Sequence, residues 1–354
     1  MSSVKLKYPI YTPDRHLLKY WGLRNCSQAN IEQVLQLPFK LAVILAFSNI
    51  DKRVFSQFDL VLIDANSPYE YEALREWITK SNINRYLVLG GIKFQHQQLE
   101  SNVFYYPGMM QGVFYKFAPL HSLKNTTDHQ KSYLFDVMLG SRKKHRDYIF
   151  MRLKQDQMLD TNIVTYRDVY KSIYSNNTSP EQDWLYKNIG LDWPYVSPNL
   201  DPAWEIDGGI DVNTSCIIPW KIYQQCWYSI ISETIEHGHW FFFTEKTMKA
   251  LLAQRLFVMF STQDFLLNLK KLGFETFDSV IDESYDSIVD QWQRHSAAYS
   301  AVQYLAKQKP KTLLQKIQPV LDHNQNRLIE YYQESNRGIQ QFLQQHIPDQ
   351  HWIL

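Results

Sequence analysis

The stretch "SYLFDVMLGSRKKHRDYIFMRLKQ" (Ser132–Gln155) indicates the fold class of the chain. Its first part is a mostly apolar run that ends at Gly140, a residue that permits a tight turn. Its second part begins with basic residues and then places apolar residues at helical spacing. A buried strand, a short turn and a helix in this order form the repeating unit of parallel α/β sheets.

Seven further stretches have the short, continuous apolar composition of strands that are buried on both faces of a sheet. They are Phe39–Phe47, Phe58–Asn66, Arg85–Gly91, Asn102–Gly108, Thr161–Tyr166, Cys226–Thr234 and Arg255–Ser261. A helix is predicted over Ser67–Asn82, because Ser67 can cap it and Pro68 suits its first turn. The alternation of strands and helices therefore runs through both halves of the chain.

The chain has 354 residues, which is enough for two domains of ordinary size. A polar segment at 117–131 separates the two halves. We predict an α/β fold with two doubly wound, Rossmann-like domains that face a cleft, followed by C-terminal helices. The predicted bounds are 1–130, 131–310 and 311–354. The last helices could return to the first domain or mediate dimerisation, so the oligomeric state stays open.

Charge and composition narrow the class of protein. The net charge is only +1, which disfavours nucleic acid as the main partner. The three cysteines include no Cys-x-x-Cys pair, so we expect neither a disulfide framework nor a zinc site. The N-terminus lacks the apolar core of a signal peptide, and no apolar run reaches the ~18 residues of a membrane span. We predict a soluble, cytoplasmic protein.

Basic residues follow Gly140, at the predicted start of a helix, from Arg142 to Arg146. Backbone N–H groups at a helix N-terminus favour anions, and guanidinium groups can bind phosphate with two hydrogen bonds. The alternative is a solvated helix start, although cations at this end oppose the helix dipole. Neither a Walker loop nor a Gly-x-Gly-x-x-Gly turn is present.

A second polar site interrupts the apolar stretch "HWFFFTEKTMKALLAQRLFVMF" (His239–Phe260). Thr244 is a predicted helix N-cap, and Glu245 and Lys246 follow it. First-turn electrostatics, worth about 0.3–1 kcal/mol, could explain Glu245. Alternatively, Glu245 accepts hydrogen bonds from a diol such as a ribose, while Lys246 neutralises a phosphate. In that case the two side chains need not pair with each other.

Three motifs together resemble the alpha-1,3-fucosyltransferase family and the fucosyltransferase-like proteins of bacteria and phages. They are "LGSRKKHR" (Leu139–Arg146), "SETIEHGHWFFFTEKTMKALLA" (Ser232–Ala253) and "LGFETFDSVIDESYD" (Leu272–Asp286). The resemblance covers roughly 132–286. It implies a GT-B fold that holds a nucleotide-sugar donor in its C-terminal domain. It also implies an inverting, metal-independent transfer.

The resemblance implies roles for particular residues. Glu245 would contact the donor ribose and Lys246 its diphosphate. Arg142 or Arg146 would bind phosphate, and Glu233 stands where the family has a carboxylate before the donor loop. The predicted donor-binding residues are therefore Arg142, Arg146, Glu233, Thr244, Glu245 and Lys246.

The chain departs from the family after the Thr-Glu-Lys helix, where Gln254 and Arg255 replace a common glycine and proline. No match to the family's N-terminal acceptor motif is found, so fucose is not assumed. An inverting transfer needs a general base for the acceptor hydroxyl. We predict Asp64, at the end of a strand, with Glu70 and Glu72 behind it; a local cap is the alternative for Asp64.

Other polar residues are interpreted as structural or auxiliary. His237 and His239 could assist at the donor loop, and no third ligand accompanies them for a metal. Asp282, Glu283 and Asp286 are interpreted as caps. No Asp-x-Asp is seen at a strand end. We therefore predict no metal and no cofactor, with the nucleotide-diphospho-sugar as a substrate.

These patterns predict a glycosyltransferase that moves a sugar from a nucleotide-diphospho-sugar to an acceptor hydroxyl. The acceptor could be a glycan, a small molecule, a protein or a modified base. Another nucleotide-dependent transferase on the same fold is an alternative. So is a non-catalytic module that binds a nucleotide or a glycan.

Overall fold

The computed structural model of the protein describes most of the second half of the chain and parts of the first. The described residues are 8–12, 26–37, 40–45, 57–65, 86–90, 92–94, 103–105, 130–140, 142–166, 195–196, 218–238 and 240–346. The chain divides into two compact units. The first unit contains 1–116, 239–244 and 329–354, and the second contains 117–238 and 245–328. The predicted domain bounds 1–130, 131–310 and 311–354 stay predictions.

The first unit contains a six-stranded parallel sheet in the order β2-β1-β3-β4-β5-β7. Its strands are β1 (Tyr8–Tyr11), β2 (Cys26–Ala29), β3 (Leu41–Leu45), β4 (Leu60–Ala65), β5 (Tyr86–Gly90) and β7 (Val103–Tyr105). A short helix, α1 (Ile31–Leu35), begins with a capping box formed by Asn30 and Gln33. Strands β6 (Ile92–Phe94) and β12 (Trp240–Phe242) form a separate antiparallel pair.

Strand β4 shows why the apolar runs of the first half form a parallel sheet. Val61, Leu62 and Ile63 are successive residues, and each is at most 1% exposed. Successive side chains point to opposite faces of a strand, so both faces of β4 are covered. The four strands predicted from apolar runs in this half are confirmed as β3, β4, β5 and β7. The predicted helix Ser67–Asn82 lies outside the described residues.

The second unit contains a five-stranded sheet in the order β10-β9-β8-β11-β13. Its strands are β8 (Tyr133–Leu139), β9 (Ile163–Tyr166), β10 (Tyr195–Val196), β11 (Cys226–Ser232) and β13 (Leu256–Phe260). All pairs are parallel except the short β10 with β9. The four strands predicted in this half are confirmed as β8, β9, β11 and β13.

Six further helices lie in the described residues. They are α2 (Lys144–Gln155), α3 (Trp220–Gln225), α4 (Glu245–Leu252), α5 (Phe265–Lys271), α6 (Gln291–Leu305) and α7 (Pro310–His346), with a 3-10 turn at Ser284–Ser287. Ile149, Phe150 and Leu153 of α2 are fully buried, which confirms the apolar face read from the sequence. The architecture is therefore mixed α/β with largely parallel sheets.

A buried ion pair occupies the middle of the second sheet. The guanidinium of Arg255 lies 2.6 Å from Oδ2 of Asp136, and its Nε donates to Ser229 Oγ at 3.0 Å. Its Nη1 donates to the carbonyl oxygens of Tyr223 and Cys226 at 2.9 and 2.6 Å. Arg255 is 1% exposed. Arg255 is thus a structural residue of this core.

Three helices of the second unit end in the same hydrogen-bonded turn, the Schellman motif, whose C′ residue is left-handed. Gly273 takes this position after α5, with φ 87°. Glutamines take it after α2 and α4, where Gln157 and Gln254 have φ 56° and 54°. Gln254 therefore has the left-handed backbone conformation that glycine usually adopts at this position of a helix end.

Replacing Gln157 with glycine is expected to stabilise the protein by about 1 kcal/mol, because a side chain is unfavourable in the left-handed region. The side chain of Gln157 is exposed, so its removal costs little packing. Gln157→Ala is the matched control, since alanine removes the side chain but keeps the Cβ. Urea denaturation followed by circular dichroism measures both. Equal stabilities for the glycine and alanine variants would contradict the expectation.

Candidate functional site

Charged residues gather where β8 and β11, which are neighbours in the second sheet, reach their carboxyl ends. In open parallel sheets this edge is where ligands bind. The contributing segments follow β8, follow β11, and begin α4. We use the term charged cluster for Lys143, His145, Arg146, Glu233, Glu236, Glu245 and Lys246. All seven belong to the second unit.

Glu233 joins the end of β11 to the first turn of α4. It is fully buried, and the hydroxyl of Thr247 donates to its Oε1 at 2.6 Å. The backbone N–H of Thr234 donates to its Oε2 at 3.2 Å. These contacts position the loop after β11 against α4. A direct donor contact by Glu233 stays a prediction.

Glu245 and Lys246 form an ion pair, an arrangement that the sequence had left open. Nζ of Lys246 lies 3.0 Å from Oε1 of Glu245 and also donates to Thr234 Oγ1 at 3.1 Å. Glu245 is 8% exposed, and its Oε2 has no hydrogen-bond partner among the described residues. Burial raises the pKa of Glu245, but the positive charge of Lys246 helps to bring it below its usual range. The cluster thus contains an ionised carboxylate with one unused acceptor oxygen.

Lys143 brings a second ammonium group to the same threonine. Its Nζ donates to the backbone carbonyl of Thr234 at 2.6 Å. Burial, together with the positive charges of Arg146 and Lys246, lowers the pKa of Lys143 to about 8. The side chain is half-buried. Sequence reasoning placed Lys143 in the basic segment but did not single it out.

His145 and Glu236 also belong to the charged cluster. His145 is fully buried; its Nε2 lies 3.0 Å from the carbonyl oxygen of Glu233 and its Nδ1 lies 3.3 Å from Oε2 of Glu236. Burial lowers the pKa of His145, and Glu236 opposes that shift. The exposed His237 lies 3.7 Å from the other oxygen of Glu236. Glu236 was missed from sequence, because nothing local shows that it turns back toward α2.

The two predicted arginines have different surroundings. Arg146 is 3% exposed, and its Nε donates to Ser232 Oγ at 3.3 Å, at the end of β11. A Cβ added to Gly140 would lie 3.3 Å from the Arg146 guanidinium, so the small residue leaves it room. Arg142 instead donates to Oδ1 of Asp147 at 3.2 Å. The structure therefore brings Arg146 into the charged cluster and ties Arg142 to Asp147.

Other predicted site residues lie elsewhere or are not fully described. Thr244 is fully buried and immediately precedes α4, but it belongs to the first unit. Asp64 lies in β4, in register with Leu45 and Leu89 of the neighbouring strands. Its side chain lies outside the described residues, as do Glu70, Glu72 and His239. Their predicted roles stay predictions.

The acidic motif after α5 has the structural role expected for it. Both carboxylate oxygens of Asp286 accept backbone N–H groups at the start of α5, from Leu266 and Leu267, each at 2.9 Å. Asp282 and Glu283 each accept a further backbone N–H. A structural role is confirmed for all three carboxylates. Asp286 caps α5 and Asp282 bonds to the first residue of the 3-10 turn, but Glu283 is not a helix cap, because Phe277 lies outside any helix.

No family model, curated protein or solved structure matches this chain. Within the part of the chain that the structure describes, no helix is long and apolar enough to cross a bilayer. Over the same residues, no group of three or more histidine, cysteine or acidic side chains is placed to hold a metal ion.

Proposed function

We propose that the protein is a glycosyltransferase that binds a nucleotide-diphospho-sugar at the charged cluster. The observation that carries the proposal is the pair of ammonium groups, from Lys143 and Lys246, that both bond to Thr234. Beside them, Oε2 of Glu245 is a buried acceptor with no partner among the described residues. Cations for a diphosphate and an acceptor for a ribose hydroxyl are what such a donor requires.

The positive charges of the cluster would stabilise the leaving group of the transfer step. As the bond between the sugar C1 and the diphosphate oxygen breaks, negative charge develops on the leaving diphosphate. Lys246 and Arg146 supply the stabilising positive charge in this proposal, and no step depends on a metal. The acceptor hydroxyl attacks C1 from the opposite face, so the configuration inverts. Asp64 is the proposed base that takes the hydroxyl proton.

The proposal includes a GT-B arrangement of two Rossmann-like domains, with the acceptor bound by the N-terminal one. Two mainly parallel sheets in separate units support it. A cytoplasmic location is also proposed, and the buried thiol of Cys226 supports it. Among the possible acceptors, a glycan, a small molecule, a protein or a modified base, the described residues favour none.

A nucleotide screen in EDTA tests the proposal. Thermal unfolding with millimolar GDP, UDP, CMP or ADP should show a rise of several degrees for one nucleotide, because ligand binding stabilises the folded state. Hydrolysis of the matching nucleotide sugar then distinguishes an enzyme from a binding module. If no nucleotide changes the melting temperature, the donor site is wrong. Binding without hydrolysis or transfer would favour the non-catalytic alternative.

A further inference from the structure

Two lysines of the charged cluster, Lys143 and Lys246, contact the same residue, Thr234. Lys143 immediately precedes α2, and Lys246 is the second residue of α4. Their ammonium groups bond to the carbonyl oxygen and the hydroxyl oxygen of Thr234. Cations at helix N-termini oppose the helix dipole, and two of them close together repel each other. Stabilisation of the helices therefore does not explain why a lysine occupies either position.

The two ammonium groups differ in how the protein neutralises them. Lys246 has the carboxylate of Glu245 at 3.0 Å. Within the described residues, no carboxylate oxygen lies within 4.0 Å of the Lys143 ammonium, which donates to a neutral carbonyl oxygen. Glu233 and Glu236 act on it only from a greater distance. An ammonium has three N–H bonds, and the carbonyl of Thr234 accepts one, so others can serve an anion.

We infer that Lys143 and Lys246 form a two-ammonium clamp that holds a phosphoryl group of the ligand against Thr234. Lys143 is thereby assigned as an anion-binding residue in its own right, beside the Lys246 of the Thr-Glu-Lys motif. The inference rests on the proposed function for the kind of ligand that carries this phosphoryl group. The clamp itself can be tested without any sugar or nucleotide.

Inorganic pyrophosphate in EDTA is the probe, and isothermal titration calorimetry on the full chain measures its affinity. Lys143→Gln should weaken binding roughly 10- to 100-fold, the usual effect of losing one charge-assisted hydrogen bond. Lys144→Gln is the matched control, because it removes the same charge from the next residue. Its affinity should stay within about twofold of the wild type. Lys143→Arg should retain most of the affinity.

A second measurement needs no variant. The pKa of about 8 leaves the Lys143 amine reactive near neutral pH, so acetic anhydride should acetylate it readily. Mass spectrometry of the wild-type protein should show that pyrophosphate slows acetylation of Lys143 several-fold and leaves Lys144 unchanged. Equal protection of both lysines would overturn the clamp. This measurement uses the wild-type protein, so it tests the clamp even if Lys143→Gln fails to fold.

The clamp and the glycosyltransferase proposal can fail separately. If Lys143→Gln binds pyrophosphate like Lys144→Gln, or the wild type does not bind it, the clamp is wrong even when nucleotide sugar is hydrolysed. If pyrophosphate binding needs Lys143 but no nucleotide sugar is bound or turned over, the clamp stands and the glycosyltransferase proposal fails.

Discussion

Replacing Lys246 with alanine is expected to weaken nucleotide binding at least roughly 100-fold, because the diphosphate loses a charge-assisted contact in a partly desolvated site. The fold should survive. The Lys246 side chain is 23% exposed, and it forms an ion pair with Glu245, the adjacent residue. The loss of that ion pair leaves the buried Glu245 carboxylate without this counter-ion, so the variant should be less stable, and its affinity is measured well below its melting temperature. Calorimetric titration with the nucleotide found in the screen measures the affinity.

Lys249→Ala provides the matched control for this prediction. Lys249 lies in the last turn of the same helix and carries the same charge, so the variant separates a local contact from a general loss of charge. Its affinity should remain within a few-fold of the wild type. Wild-type affinity in Lys246→Ala would remove Lys246 from the site. Equal losses in both variants would mean that net charge alone is responsible.

Replacing Asp136 with leucine is expected to cost about 3–5 kcal/mol of unfolding free energy, because it leaves the charge of Arg255 buried without its counter-ion. Both side chains of the pair are at most 2% exposed, and the closest N–O distance is 2.6 Å. Burial raises the pKa of Asp136, and Arg255 opposes that shift, so each ion depends on the other. Urea denaturation followed by circular dichroism measures the cost.

The double variant Asp136→Leu with Arg255→Met is the informative control. It removes both charges together, so the desolvation penalty disappears with the attraction. Its cost should be at least about 2 kcal/mol smaller than that of Asp136→Leu. It should not reach zero, because two carbonyl oxygens that accept from Arg255 lose their donor. A double variant as unstable as the single one would show that the ion pair is not the source of the loss.

The strands were predictable wherever the chain itself carries a continuous apolar run, as in β4 and β13. β1 ("YPIY") and β2 ("CSQA") were missed because neither has such a run. Both belong to the first sheet through pairing in register with each other and, for β1, with β3. Strand formation depends on neighbours across the sheet as much as on the residues of the strand.

The site was predictable to the level of segments but not of contacts. The basic residues after Gly140 and the segment that contains Glu233 follow β8 and β11, two strands that prove to be adjacent. Lys246 of the Thr-Glu-Lys motif reaches the second of these segments at Thr234. Which of the two arginines lies in the charged cluster required the structure, in which Arg142 donates to Asp147 and Arg146 to Ser232. The part played by Thr234, which both lysines contact, has no local signature either.

The sequence by itself determined the α/β class and the polar breaks between apolar segments, because periodicity and turns act between near neighbours in the chain. Only the tertiary structure decided which charges meet. Asp136 and Arg255 are 119 residues apart in sequence. Whether a buried charge is tolerated depends on the partners that folding brings to it, and no local pattern records them.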